Sequence, residues 1–356
     1  MSNSQSSSPS PSDPPADKGR VVVASQSRQV NRLTGVQILA TGSYTPPHVV
    51  RNEDLAELGY DADWILQRTG IRQRCRAAAD QATSDIAFEA ATRCLAAGNI
   101  DNRDIDLILL ATITPDQPTP STACHVQRML DSNAPAMDIG AACAGFMYAL
   151  ITGMQFIATG SYQRVLIIGA DLMSRTVNPA DMKTFPLFGD GAGAVVIGPG
   201  SEQQGFHSYT LGADGKGAQL LQMPAGGTRC PATEQSLRDN LQYLTMDGRS
   251  VFKWAIRTLS NSINQVLDHS QISASEIDLA ILHQANNRII QAAAEDLGLN
   301  TDDVFINLDR YGNTSAASIP LALDEAVRND RISAGDRILF SGFGAGLSWG
   351  SGIWQW

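Results

Sequence analysis

The sequence is short of positive charge, has few cysteines and contains no long apolar run. Its 356 residues carry 26 Lys and Arg against 36 Asp and Glu, a formal net charge of −10. That balance excludes a general nucleic-acid binder, which needs a basic surface to meet phosphates. Five cysteines, at positions 75, 94, 124, 143 and 230, form no CxxC pair. Neither a disulfide framework nor a zinc site is expected, and a reducing, cytoplasmic setting fits. No uninterrupted apolar stretch reaches bilayer-spanning length, so no membrane span is expected. The first thirty residues are rich in Ser, Pro, Asp and Gln and lack the basic start and apolar run of a signal peptide. Residues 1–32 therefore read as a disordered tail.

What is present is a series of apolar runs of strand length. IDLILLAT (105–112), RVLIIGAD (164–171) and GAGAVVIG (191–198) read as strands buried on both faces. Thr83 to Ala97 reads as an amphipathic helix with Ser84 or Asp85 as its cap. The second half then repeats the first. IDLAILHQ (277–284) matches IDLILLAT at an offset of 277 − 105 = 172, and RILFSG (337–342) matches RVLIIG (164–169) at 337 − 164 = 173. Helices over 251–268 and 287–297 and a strand over 303–307 fill the same places between them. The constant spacing predicts two duplicated α/β halves, 33–204 and 205–356, each with a mixed, mainly parallel sheet layered with helices.

Cys143 sits between a short apolar strand, Ala136 to Ile139, and an apolar helix, Ala144 to Thr159. A thiol at a helix N terminus is in an environment that favours thiolate. This stretch alone leaves two readings open, a nucleophile or a small buried core residue. The duplication adds to it: 143 + 172 = 315 falls in the turn YGNTSAAS (311–318), which contains Asn313, and His283 ends the strand 277–282 of that same half. Ligands of open α/β sheets gather at carboxyl ends of strands, so one pseudo-twofold axis is expected to bring Cys143, His283 and Asn313 together. Of the other histidines, His125 and His269 read as helical surface residues, and His48 and His207 as loop residues.

The segments AACAGF, LHQANNRII, GNTSAASIP, FGDGAGA (188–194), GFGAGLSWGS (342–351) and RTGIR (68–72) together resemble the β-ketoacyl-[acyl-carrier-protein] synthase III family of the thiolase superfamily, in the family's order from about residue 34 to the C terminus. The resemblance implies a thiolase-like αβαβα fold and a decarboxylating condensation of an acyl-CoA primer with malonyl-acyl carrier protein, initiating fatty acid synthesis. It implies Cys143, His283 and Asn313 as catalytic residues, with the backbone amides of Cys143 and Ala345 as oxyanion donors. Trp64 and Arg68 match positions contacting the adenine and phosphates of coenzyme A, while Met182 stands where the family often has an arginine. Gly248 and Asn286 match the pantetheine tunnel. Lys253 and Arg288, with Arg249 and Arg257 nearby, match the carrier-protein docking patch, although Glu295 and Asp296 replace lysines of some members. Thr119 matches an acyl-pocket position that is aromatic in acetyl-specific members, so longer or branched primers are expected. A homodimer is implied, and no cofactor, acyl-CoA being a substrate.

Three alternatives stand beside this. One is a related condensing or acyltransferase enzyme of secondary metabolism. A second is a non-catalytic thiolase-like scaffold, disfavoured because all three reactive residue types are present at matching positions. The third is a cysteine hydrolase, since Cys, His and Asn occur in papain-like order with 283 − 143 = 140. Against this last, the C-G-[SA]-C-[WY] signature is absent and the duplicated pattern is a different fold.

Overall fold

The computed structural model describes residues 30–356, and the expected disorder of the tail falls, for residues 1–29, outside them. The chain builds two five-stranded sheets. The first is made of β2 (Val36–Tyr44), β3 (Leu107–Ala111), β4 (Ala136–Ile139), β5 (Val165–Leu172) and β6 (Asp190–Pro199), in the order β2-β6-β5-β3-β4. The second is made of β1 (Asn31–Thr34), β7 (Gly205–Ala213), β8 (Leu279–Leu282), β9 (Arg337–Gly344) and β10 (Ser348–Gln355), in the order β1-β7-β10-β9-β8. Removing β1 leaves the same order in both halves. The fifth strand expected over 303–307 is reduced to a single parallel bridge, Ala280 to Val304.

The main helices are α1 (Ala62–Thr69), α2 (Thr83–Ala97), α3 (Thr122–Met129), α4 (Gly145–Ala158), α5 (Gly248–Ser270), α6 (Asn287–Leu297) and α7 (Ser318–Arg328). Strand alternation assigns the layers. Leu109 and Ile281 point to the central core with α4 and α7, which is shared by both sheets. Ile108 and Leu110 point outward to α2 and α3, and Ala280 and Leu282 to α5 and α6. Both strands are therefore buried on two faces, which is why they read as continuous apolar runs. The result is the five-layered αβαβα arrangement.

Four expectations need correction. The sheets are mixed, but five of their eight strand pairings are antiparallel and three parallel. In the second half, β9 turns straight back into β10 through Gly344–Ser348, and a short connection of that kind can only join antiparallel strands. Among the described residues the first strand, Asn31–Thr34, begins two residues before Leu33 and pairs with β7 of the other half, so the boundary at 33 falls inside a strand. Helix α2 is entered at Ala82, whose N–H donates to Asp85 Oδ2 at 2.6 Å, so Asp85 acts from the third helical position instead of as the cap. His48 and His207 lie in strands, the first in a ribbon of His48–Arg51 with Gln73–Arg76; polar neighbours hide the strand period there.

Candidate active site

Cys143, His283 and Asn313 line one cleft of about 670 Å³, walled mainly by apolar side chains including Phe188, Phe252, Trp254, Phe343 and Leu347. Each stands where an element of the duplicated core ends. Cys143 lies in a single turn, Ala142–Ala144, that runs into α4. His283 follows β8, its N–H donating to Ser341 O of β9 at 2.8 Å. Asn313 lies beside Phe188, its N–H donating to Leu187 O at 2.9 Å and its carbonyl accepting from Gly189 N at 3.1 Å.

The side chains are oriented by neighbours. Ser315 N–H donates to Asn313 Oδ1 at 2.9 Å. A backbone N–H can only donate, so the amide oxygen is fixed and Nδ2 is the donor that remains. His283 Nδ1 is 2.6 Å from Ser318 Oγ, and its ring stands edge-on to Phe343 with centroids 5.2 Å apart. Gln284 pins the loop, donating to Leu282 O and Phe305 O and accepting from Asn307 N.

Electrostatically, the mainly apolar lining of the cleft penalises charge. Burial pushes the His283 pKa down to about 3, so its ring is neutral at ordinary pH and carries one N–H. Burial also pushes the Cys143 thiol from 9 up to about 12, against a hydrogen bond to Ser315 that lowers it. The rise is worth about 4 kcal/mol, whereas a helix N terminus returns at most about 2 kcal/mol. The expected location of Cys143 at a helix start is present, but the helix end by itself does not make it a thiolate.

Around the mouth, Gly248 and Asn286 line the cleft, and Asn286 Nδ2 donates to Arg68 O at 3.2 Å, tying α1 to the start of α6. Trp64 is 40% exposed, with the Arg68 guanidinium 5.9 Å from its ring centre. Neither Trp64 nor Arg68 lines the cleft itself. Met182 is exposed. Arg249, Lys253 and Arg257 follow one another at four-residue spacing along exposed positions of α5, with Arg288 exposed in the first turn of α6. None of these four forms an ion pair among the described residues. Thr119 is exposed in the loop before α3 and does not line the cleft. Ala345 lies in the turn after β9, where a side chain on the preceding Gly344 would meet Cys143 N at 2.6 Å. Among the described residues no group of metal-ligating side chains occurs, and no helix is long and apolar enough to cross a membrane.

Sequence reasoning missed Ser315, Ser318 and Asp171. The signal for the serines was their hydroxyls within the turn already singled out. For Asp171 it was a charge ending a buried strand, opposite a glycine in the repeat.

The duplicated five-layered fold thus gathers a cysteine, a histidine and an asparagine in one cleft. Comparisons with known proteins place the chain. The family models described as 3-oxoacyl-[acyl-carrier-protein (ACP)] synthase III and its C-terminal part match residues 137–215 and 267–356. The β-ketoacyl-[acyl-carrier-protein] synthase III of Rhodopirellula baltica is 54% identical over 345 residues, covering 92% of this chain and all of the relative. The crystal structure of 3-oxoacyl-[acyl-carrier-protein] synthase III from Aquifex aeolicus superposes with a TM-score of 0.84 at 40% identity, over 90% of this chain and all of that one. The priming β-ketosynthase of the R1128 polyketide pathway superposes with a TM-score of 0.83 at 32% identity, over 92% and 98%. The chain belongs to the β-ketoacyl-[acyl-carrier-protein] synthase III family, condensing acyltransferases of fatty acid synthesis.

Proposed function

We infer that this chain condenses an acyl-CoA primer with malonyl-acyl carrier protein, giving 3-oxoacyl-acyl carrier protein, CO2 and CoA, through an acyl group carried on Cys143. The observation that carries this reading is the convergence of Cys143, His283 and Asn313 on one apolar cleft. In the first half-reaction the Cys143 sulfur attacks the primer thioester, and the amides of Cys143 and Ala345 receive the oxyanion. In the second, malonyl thioester loses CO2 and leaves enolate charge on its carbonyl oxygen. Asn313 Nδ2 is one donor to that oxygen. The other is His283 Nε2–H, the tautomer in which Nδ1 accepts from the Ser318 hydroxyl 2.6 Å away. Neutral donors suit this task, because an apolar cleft penalises a standing charge. The resulting carbanion attacks the acyl group on Cys143. This scheme calls for no cofactor.

Trp64 and Arg68 are suited to an adenine and a phosphate, with Gly248 and Asn286 along the pantetheine arm. The stripe Arg249, Lys253, Arg257 and Arg288 begins where α5 and α6 meet the cleft mouth, and suits an acidic carrier protein even though the chain is acidic overall. Glu295 and Asp296 lie seven and eight residues further along α6, about 10 Å from Arg288 at helical rise, which keeps them off the mouth. A homodimer is favoured by β4, an edge strand with Met137 39% exposed, since an unpaired apolar edge invites a second copy. A cytoplasmic setting suits these substrates.

The test is a product assay with acyl-CoA primers of graded length and malonyl-acyl carrier protein, read by mass spectrometry. A 3-oxoacyl-carrier-protein product supports the reading; free acid or an ester in its place overturns it. A role in priming secondary metabolism is the second reading, favoured by the likeness to the R1128 enzyme.

A further inference from the structure

Glu325 is a buried acidic residue that the condensation scheme leaves without a task. It lies on α7, seven residues from Ser318 and about 10 Å further along the helix at helical rise. Both of its oxygens are taken. Oε1 pairs with Arg310 Nη1 at 2.5 Å, and Oε2 accepts from Asn307 Nδ2 at 3.0 Å. These donors sit at the two ends of one piece of chain, Asn307 just before the single helical turn Leu308–Tyr311 and Arg310 within its last two residues. An asparagine at the N-cap ordinarily turns its side chain to a backbone N–H of the first turn. Asn307 occupies that place without making the cap; its side chain goes to Glu325 instead.

The turn joins the two donors assigned to the enolate oxygen. At its start, Asn307 N–H donates to Gln284 Oε1 at 3.1 Å, and Gln284 Nε2 donates to Leu282 O at 2.8 Å and Phe305 O at 3.1 Å. Leu282 and Gln284 are the chain neighbours of His283. At its end, Gly312 N–H donates to Leu308 O at 2.8 Å, and the chain enters Asn313, whose N–H is fastened to Leu187 O. Cys143 lies outside this arrangement. Its turn packs on Gly344 and Ser315, and among the described residues neither side-chain partner of Glu325 belongs to the first half.

We propose that Glu325 is a positioning residue for the second half-reaction: by clamping Asn307 and Arg310, it sets the spacing of His283 and Asn313 about the enolate oxygen. The assignment rests on the proposed condensation. Two donors must reach one oxygen, and a misplacement of about 1 Å can cost as much as about 10²-fold in rate. Attack by Cys143 in the first half-reaction uses neither donor and is indifferent to the clamp. Glutamate suits the place because both partners are donors, and a carboxylate offers two acceptor oxygens and no N–H. A glutamine would set its NH2 against one of them.

The test follows the two half-reactions separately in the full chain: uptake of acyl label from acyl-CoA onto Cys143, and conversion of preloaded acyl-Cys143 to 3-oxoacyl product by malonyl-acyl carrier protein. Glu325→Gln is expected to lower the saturating condensation rate about ten-fold, while acyl uptake and the half-saturating carrier-protein concentration stay within about two-fold of the parent. Asn307→Asp, which sets two carboxylates face to face, is expected to do the same. Combined in one chain, the two substitutions let the new NH2 donate to the new carboxylate. Most of the lost rate should return, a non-additivity that independent damage does not give. Should Glu325→Gln fail to fold by circular dichroism, Asn307→Ala decides by the same readouts, because it removes one arm of the clamp and keeps the Arg310 pair. Unchanged condensation, or an equal loss in both half-reactions, overturns the clamp, as does a double variant no better than the single ones. A parent chain that forms acyl-Cys143 but no 3-oxoacyl product would sink the condensation reading and the clamp together; with an active parent, only the clamp is at stake.

Discussion

Ala142 and Ser315 stand 315 − 142 = 173 residues apart and share a left-handed backbone, with φ of 47° and 52°. Neither is glycine, so the conformation is strained and must be held by its surroundings. Each begins a short turn into a central helix, α4 in one half and α7 in the other. In the first half the turn delivers Cys143; in the second it delivers Ser315 and orients Asn313. The strands beneath differ in the matching way. Asp171 ends β5 and accepts the N–H of Ala316, while its counterpart Gly344, at 344 − 171 = 173, packs against Cys143. One half fills the position with a carboxylate, and the other needs a glycine to let the nucleophile sit.

Gly344→Ala is accordingly expected to displace Cys143. An added Cβ would meet Cys143 N at 2.6 Å and Cys143 Cβ at 3.0 Å, contacts with backbone that cannot rotate away. Overpacking of this kind costs about 1–3 kcal/mol. Denaturant titration should show that loss together with a collapse of acyl uptake.

Asn313 and Cys143 should separate the two half-reactions. Asn313→Ala is expected to take up radiolabelled acyl group on Cys143 while condensation falls by about 10²–10³, the usual loss for one oxyanion donor. Normal condensation in this variant would refute its assigned role. Cys143→Ala should abolish labelling, and label persisting on another cysteine would refute the scheme as a whole.

His283 should make the fold sensitive to mild acid. Its folded pKa of about 3 lies below the unfolded value of about 6.5, so the unfolded chain binds more protons between them. Stability is then full above about pH 6.5 and falls as pH drops toward 3. Asp171 and Asp190, both raised by burial, act with the opposite sign. The comparison of parent with His283→Gln isolates the histidine: urea midpoints at pH 7 and pH 5 should converge in the variant, and parallel slopes would disprove the linkage.

The primer series should reflect Thr119. If Thr119 belongs to the acyl pocket, as the family resemblance implies, its small side chain is expected to admit longer or branched acyl groups. Thr119→Phe should then lower kcat/KM for those primers more than for acetyl-CoA; a strict acetyl preference in the parent would contradict this.

Charge reversal on the α5 stripe should act on association. Lys253→Glu is expected to raise KM for malonyl-carrier protein about three- to ten-fold with little change in kcat, and added salt should narrow the gap. Equal kcat/KM at low salt would argue that the carrier docks elsewhere.

Much of this was legible because β3, β5, β8 and β9 are buried on both faces and leave apolar runs whose spacing records the duplication. The convergence of Cys143, His283 and Asn313 was legible because His283 closes one of those runs and the repeat offset pairs the turns that carry the other two. The strands holding His48 and His207 were not: His48–Arg51 is only four residues long, and β7, though nine residues long and paired on both sides, has its apolar pattern broken by Ser208 and Thr210. The sense of the strand pairings was hidden for a different reason: it depends on how connections return, and a run of valines and isoleucines is the same in either direction.

The sequence by itself determined the two halves, the pseudo-twofold pairing of their turns and the identity of Cys143, His283 and Asn313, because periodicity and residue type are local properties. Only the tertiary structure decided the electrostatics of that trio. Burial, which silences the His283 charge and opposes the Cys143 thiolate, is a sum over walls drawn from both halves. The contacts that answer it, Ser315 to Cys143 across 172 residues and Asp171 to Ala316 across 145, exist only once the two halves have closed.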